Sequence, residues 1–364
     1  MKKGVLICSG TSSVKNIGDY IQSVAQEQFI DSPYCFVERE SLNQYESKEP
    51  VHVIMNAWYM WNPEAFPPSK YIIPLYLSMH IRPQIADRML SCDAIEHLKR
   101  YEPIGARDIG TMRILQSKGI DSYFSGCLTL TLGEKYKSES KSGEIIFVDP
   151  YFELGCTYSK NRLVKIIRGF CLFVRHYSKA KRIYKIFAHE FSSPLRRISL
   201  KLDQLIHIAS FYHSYSSAFS DDILFNASYI NHTVNQSDFH DDNEKMEYAR
   251  SLIRRYAAAN LVVSSRIHCA LPCVGVETPT IFINSEQLEK GNGRDGSSGR
   301  FEGLLDFMNT LLWTPQGIHL SEDEHKWLEL NGDKISLQSK VEIRLDHYEK
   351  KNEMIERINE FFNE

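Results

Sequence analysis

Several familiar signatures are missing from this 364-residue chain. No apolar stretch reaches the roughly 18 charge-free residues that a membrane-crossing helix needs. The eight cysteines (8, 35, 92, 127, 156, 171, 269 and 273) contain no CxxC pair, which removes zinc ribbons and thioredoxin-like redox motifs. Cys269 and Cys273, four apart on a predicted helix, do not make a four-ligand site, so reduced packing thiols are the favoured reading. No GxGxxG follows the first predicted strand, which excludes a dinucleotide fingerprint. There is no Walker motif, no nucleophile elbow and no HExxH. Internal repeats and low-complexity tracts are absent. The N-terminal apolar run VLIC is far too short for a signal peptide, so the expected location is the cytoplasm.

What remains is the composition of a globular protein long enough for two domains: 43% hydrophobic residues, 24% charged and a net charge of −3. Short apolar runs alternate with helical patterns. Strands are expected near residues 4–8, 34–37, 51–55, 71–75, 104–106 and 121–132, with helices at 19–29, 86–100 and 108–118. A polar stretch, 134–143, reads as a linker. A second series then opens with a strand at 145–148. It continues through helices at 161–201 and 244–259, strand edges at 223–225 and 229–231, a strand at 261 onward, a helix at 301–312 and charged helices at 336–362. Alternating strands and helices imply parallel sheets covered on both faces. Two α/β domains around a central cleft are the economical arrangement, with residues 1–140 as the first, 141–335 as the second and 336–364 as terminal helices. A single large sheet is the alternative.

Residues 160–201 stand apart. They hold twelve Lys or Arg against Glu190 alone, a local charge of +11 that leaves −14 on the remainder. Apolar residues interleave with the cations, so this basic helical insertion in the second domain suits peripheral contact with an anionic membrane. A solvated, packed insertion is the plainer reading. Nucleic acid is not expected, because no recognition motif accompanies the patch and the remainder is acidic.

The densest chemical signal is residues 261–284, LVVSSRIHCALPCVGVETPTIFIN. A buried strand runs into Ser264-Ser265, then Arg266 and His268, then a short apolar helix. That order puts an arginine and a histidine at the carboxyl end of a strand and the amino end of a helix, where α/β sheets open crevices and free N–H groups favour anions. Arginine offers a planar fork for phosphate or carboxylate. Histidine moves protons near neutral pH. With Ser265 as N-cap, Arg266 would be the first helical residue. Pro272 lacks the N–H that would bond the His268 carbonyl, so a kink is expected there. A salt-bridged arginine and a satisfied core histidine are the competing reading.

Other strand ends add candidates. Asn16-Ile17-Gly18-Asp19 follows the first strand; Gly18 permits close backbone approach, and Asp19 reads equally as a helix cap. Arg107-Asp108 follows the 104–106 strand, with Asp108 suited to an N-cap and Arg107 to the same sheet edge. Ser125 begins a small, hydroxyl-rich turn that could bind a sugar or phosphate. Trp58 could stack on a sugar ring or simply pack, and His80 reads as a core histidine. Arg294 and Arg300 lie in or beside the loop GNGRDGSSGR, which could close over an anion.

Together these motifs resemble the polysaccharide pyruvyl transferase family. The resemblance rests on Asn16-Ile17-Gly18-Asp19, on Ile104-Gly105-Ala106-Arg107-Asp108 with Lys118-Gly119-Ile120, and on Val263-Ser264-Ser265-Arg266-Ile267-His268 with Gly275 and Pro279, in order over roughly residues 1–310. It implies two Rossmann-like domains facing a central cleft in a GT-B-like fold. It also implies phosphoenolpyruvate as donor substrate, a glycan or lipid-linked sugar hydroxyl pair as acceptor, and exopolysaccharide biosynthesis as the setting. Arg266-Ile267-His268 matches the family's donor-binding motif, with Arg266 holding a donor anion and His268 acting on the reacting centre. Arg294 and Arg300 become helpers, and Asn16, Gly18, Arg107 and Ser125 further binding candidates. Asp19 and Asp108 become candidate bases or acceptor ligands. No cofactor or metal enters this scheme. A nucleotide-sugar glycosyltransferase and a non-catalytic glycan-binding protein are the alternatives.

Overall fold

The computed structural model describes residues 2–9, 14–31, 33–59, 61–187, 201–289, 299–320 and 326–363. The fold is mixed α/β, and its strands fall mainly into two sheets rather than one. Four parallel strands form the first, in spatial order Cys35–Glu38, Lys2–Ile7, Val51–Ile54 and Ile72–Leu75. A parallel pair, Ile104–Ala106 and Ser122–Phe124, lies beyond it, with Met79 bridged to Ala106. The second sheet orders Ser228–Ile230, Ile145–Val148, Leu261–Ser264, Thr280–Asn284, Asn309–Thr314 and Gly317–Ile318, parallel except for the last pair. Leu261–Ser264 is buried at every residue and flanked on both sides, which is why its sequence is a continuous apolar run rather than an alternation.

The two sheets share one core. Helix Ile17–Glu27 contributes Ile17, Ile21 and Val24 to a cluster that also contains Ile253, Ile267, Leu271 and Phe282. Strand Val14–Asn16 pairs antiparallel with Thr233–Asn235 from the second half, and the Ile17 amide donates to the His232 carbonyl. Glu27 meets Arg250 through two hydrogen bonds of 2.6 and 2.9 Å. Tyr20 donates to Asp242 at 2.6 Å, a further tie between the halves. The terminal helix Tyr348–Asn363 returns to the first half, where Met354 and Ile358 enter the shared core and Phe361 packs on His52.

Several local expectations need correction. Residues 223–225 belong to helix Asp221–Asn226, not a strand. The helix expected at 301–312 is a short 3₁₀ turn, Leu305–Phe307, followed by strand Asn309–Thr314. Its leucines and tryptophan alternate between the sheet's faces, a period of two that a short apolar window does not separate from a helix. The helix expected at 86–100 is broken into Ala86–Met89 and Cys92–Lys99, because Ser91 caps the second piece. The basic stretch forms Arg162–Arg175 and Tyr177–Phe187, with Lys201–Tyr215 following.

Candidate active site

The end of strand Leu261–Ser264 is fixed by its two serines. The Ser264 hydroxyl donates to the Val148 carbonyl and accepts from the Arg266 amide, both at 3.0 Å. The Ser265 hydroxyl accepts from the Tyr151 amide at 2.8 Å. With both hydroxyls engaged, neither caps the helix. Arg266 is the N-cap, with extended backbone, and the helix is Ile267–Gly275. His268 departs from helical geometry, with φ −83° and ψ 17°, so the kink falls four residues before Pro272 as the sequence predicts.

Each of the two signature residues meets a partner from another strand end. Arg266 Nε donates to Asp149 Oδ2 at 2.8 Å, while its side chain remains 40% exposed. Asp149, just past strand Ile145–Val148, has a positive φ of 42° and also accepts from the His232 amide at 3.2 Å. His268 is buried, and its Nε2 lies 3.2 Å from Arg107 Nη1. A guanidinium only donates, so Nε2 accepts and the ring proton resides on Nδ1. Gly18 sits against the same ring: a Cβ added there would lie 3.0 Å from His268 Cβ and 3.5 Å from Nδ1. Asn16 accepts from the Gly18 amide at 3.1 Å as N-cap of helix Ile17–Glu27. The glycine therefore serves close approach of the first helix to the histidine.

Arg107 extends into a second buried group. Its Nε is 3.5 Å from Asp108 Oδ2 but makes no hydrogen bond. Asp108 caps helix Ile109–Ser117, accepting from the Thr111 amide at 2.9 Å, and its other oxygen meets His80 Nδ1 at 2.5 Å. Arg300 comes from the second half. Its guanidinium lies between the rings of Trp58, at 5.1 Å, and Phe301, at 4.9 Å. Gly299 delivers it by packing on the Gly110 backbone, where the Ile109 amide donates to the Glu302 carbonyl.

The field in this group is positive. Burial pushes the His268 imidazole well below the usual histidine range, and Arg107 and Arg300 push it the same way. Burial, then Arg107, hold His80 down at about 4 against the pull of Asp108. Burial lowers His232 to about 4 as well, with Asp149 opposing. Burial favours the neutral form of Asp108, yet His80, Arg107 and the Thr111 amide together hold its carboxyl below the usual range. Arg300 is lowered to about 10 by burial and by the charges of Arg107 and Arg266. Three arginines and neutral histidines thus face one another with Asp108 and Asp149 as their paired carboxylates, an arrangement that favours an added anion.

Of the residues singled out in the sequence, Asn16, Gly18, Arg107, Asp108, Arg266, His268 and Arg300 converge here. Asp19 is not the helix cap. Its pairing runs to Arg39, 3.6 Å away, beside a small cavity also lined by Cys8, Gln22 and Asn56 at the same edge of the first sheet. Ile267 packs into the shared core, so a ligand can meet only its backbone. Ser125 is fully buried and its hydroxyl closes a turn, donating to the Ala106 carbonyl and accepting from the Ser78 amide. Arg294 lies outside the described residues. Asp149 and His232 escaped sequence reasoning, and His80 read as core; each is polar within an apolar setting, but only pairing across strands brings them together. Among the described residues no cluster of three or more His, Cys, Asp or Glu has metal-holding geometry.

A family model described as "Polysaccharide pyruvyl transferase" matches residues 16–287, which is most of the chain and runs from Asn16 through Arg107, Asp108, Arg266 and His268 but stops short of Arg300 and its neighbours. The comparison with curated proteins returned no match.

Proposed function

The chain belongs to the polysaccharide pyruvyl transferase family, whose members are transferases, and from that premise we propose that it moves the pyruvyl group of phosphoenolpyruvate onto a hydroxyl pair of a glycan or lipid-linked sugar. The product is a cyclic ketal, and the setting is capsular or exopolysaccharide biosynthesis at the cytoplasmic side of a membrane. The observation that carries this reading is the convergence of Arg107 and Arg300 on His268, with Arg266 close enough to act on Arg300. Phosphoenolpyruvate brings a phosphate and a carboxylate on adjacent atoms, and such a cluster suits that pair of anions. We also read the two sheets as two Rossmann-like halves in a GT-B-like arrangement, divided near residue 140, with the donor on the second.

The chemistry follows from these side chains. Arg266 has Nε on Asp149, which orients its terminal nitrogens toward a ligand. A donor anion draws Arg107 away from His268 Nε2 and offsets the arginine field. Nε2 then gains a proton, which His268 delivers to the methylene carbon of the donor. The adjacent carbon becomes electrophilic and one sugar hydroxyl attacks it, losing its proton to a base. Phosphate leaves with its bonding pair, and the second hydroxyl attacks the same carbon and closes the ring, its proton passing to the departing phosphate. The scheme calls on no metal or organic cofactor. Asp108, held ionised, positions Arg107 and His80; Asp19 lies on the acceptor side.

Phosphate release from phosphoenolpyruvate, measured against a panel of galactosides and mannosides, tests the reading. His268→Gln is expected to lower kcat about 10²–10⁴-fold. Arg266→Ala is expected to lower kcat/KM by about 10²–10³. A thermal shift with a nucleotide sugar, and none with phosphoenolpyruvate, would sink it in favour of glycosyl transfer.

A further inference from the structure

Helix Arg162–Arg175 packs one apolar edge on the body and leaves a second apolar stripe exposed. Gly169 is its buried point: a Cβ there would lie 2.9 Å from Ile206 and 3.0 Å from Leu154. Lys165 pairs with Glu153 at 2.6 Å and Arg168 donates to the Gly155 carbonyl at 3.1 Å, while Leu172 and Phe173 pack on the core of the second sheet. Leu163, Ile167, Phe170 and Val174, at the i, i+4, i+7, i+11 spacing of one helical stripe, point outward. Leu163 and Val174 are each 63% exposed and Ile167 is 54%.

Cations accompany the stripe on this helix and on the next, Tyr177–Phe187. Lys160, Arg162, Arg175, Lys181 and Lys185 are exposed, and none is held in an ion pair among the described residues. Lys179 and Arg182, by contrast, are engaged by the fold, the first with Asp221 and the second over the Phe225 ring at 4.2 Å. An apolar ridge in a cationic border matches the two layers of an anionic bilayer face, acyl chains beneath phosphate headgroups. A second copy of the chain fits poorly, because a two-fold contact would set one cationic border against another. Nucleic acid provides no apolar layer for the ridge.

We propose that helix Arg162–Arg175 docks the protein in the plane of an anionic phospholipid bilayer, with Leu163, Ile167, Phe170 and Val174 inserted and Lys181 and Lys185 on the headgroups. This does not rest on the pyruvyl transfer reading, since neither donor nor acceptor enters its test. The test is flotation of the full chain with vesicles of phosphatidylcholine alone or mixed with phosphatidylglycerol. Binding is expected on the mixed vesicles and is weakened by salt. Leu163→Glu with Ile167→Glu, both solvent-facing, is expected to reduce partitioning at least about ten-fold while circular dichroism is unchanged. Lys181→Glu and Lys185→Glu are each expected to lower it about five-fold. Equal binding to both vesicle types, or no loss in these variants, overturns the proposal. So does a sedimentation dimer that Leu163→Glu disperses without vesicle binding.

Discussion

His268 carries a contradiction that the chemistry must resolve. As it stands the ring is neutral, with Nε2 accepting from Arg107, so it has no proton to give at that nitrogen. The depression comes from burial and from arginine charge. Burial persists when an anion binds, but the arginine contribution is cancelled. The histidine pKa therefore rises in the complex, the complex holds more protons than its separated parts, and binding weakens as pH increases. Calorimetric titration of phosphoenolpyruvate at about pH 6, close to the ordinary histidine range, reads this linkage, and the ligand's own second ionisation is common to the native protein and His268→Gln. Heats compared in buffers of different ionisation enthalpy are expected to show more proton uptake by the native protein than by His268→Gln. Equal uptake by the two would falsify the acid role. Arg107 was legible as a strand-end residue; that it approaches the histidine of the other half was not, because the two are 161 residues apart.

At the scale of elements, helix Ile109–Ser117 illustrates two roles in one side chain. One Asp108 oxygen caps the helix through the Thr111 amide and the other meets His80, with Arg107 alongside. Capping and site-building, posed as alternatives from the sequence, are simultaneous. Substitutions separate them. Asp108→Ser retains a capping oxygen but removes the charge, so kcat/KM is expected to fall at least about ten-fold. Asp108→Ala also removes the cap and is expected to cost about 1 kcal/mol more stability than Asp108→Ser. Thermal midpoints and steady-state kinetics of the two variants check this; equal midpoints would mean that the cap contributes nothing. The neighbouring strand end shows the opposite case. Ser265 has the residue type of a cap but bonds the Tyr151 amide, and the cap position passes to Arg266. Residue preference alone does not choose between a helix amide and a neighbouring strand's amide.

For the molecule as a whole, the site exists because the halves are pressed together. Gly275, at the end of the signature helix, lies against the turn of the first half: an added Cβ would be 2.5 Å from the Thr129 carbonyl oxygen and 2.9 Å from the Leu130 Cα. Backbone cannot swing aside as a side chain can. Gly275→Ala is thus expected to displace helix Ile267–Gly275, lower stability by about 1–3 kcal/mol and reduce kcat/KM through His268, although the substitution touches no ligand. Denaturant unfolding with parallel kinetics measures both. Unchanged activity alongside lowered stability would show that the helix is not what positions the histidine. Among the described residues no helix is long and apolar enough to cross a membrane.

The sequence by itself determined the local order: buried parallel strands from continuous apolar runs, a kink at His268 from Pro272, an anion-favouring arginine and histidine at a strand's end, and the family. These follow from residue type and spacing, which act over a few positions. Only the tertiary structure decided that Arg107, Arg300, Gly18 and His80 join that end, that Asp149 anchors Arg266, and that Asp19 pairs with Arg39 instead. It also decided that Lys165 and Lys179 of the basic stretch are paired and that the apolar stripe of Arg162–Arg175 faces outward. Those outcomes depend on which strand ends are brought together and on which face of a helix finds a core. Charge and burial at that meeting point, not the identity of any one residue, set the protonation of His268.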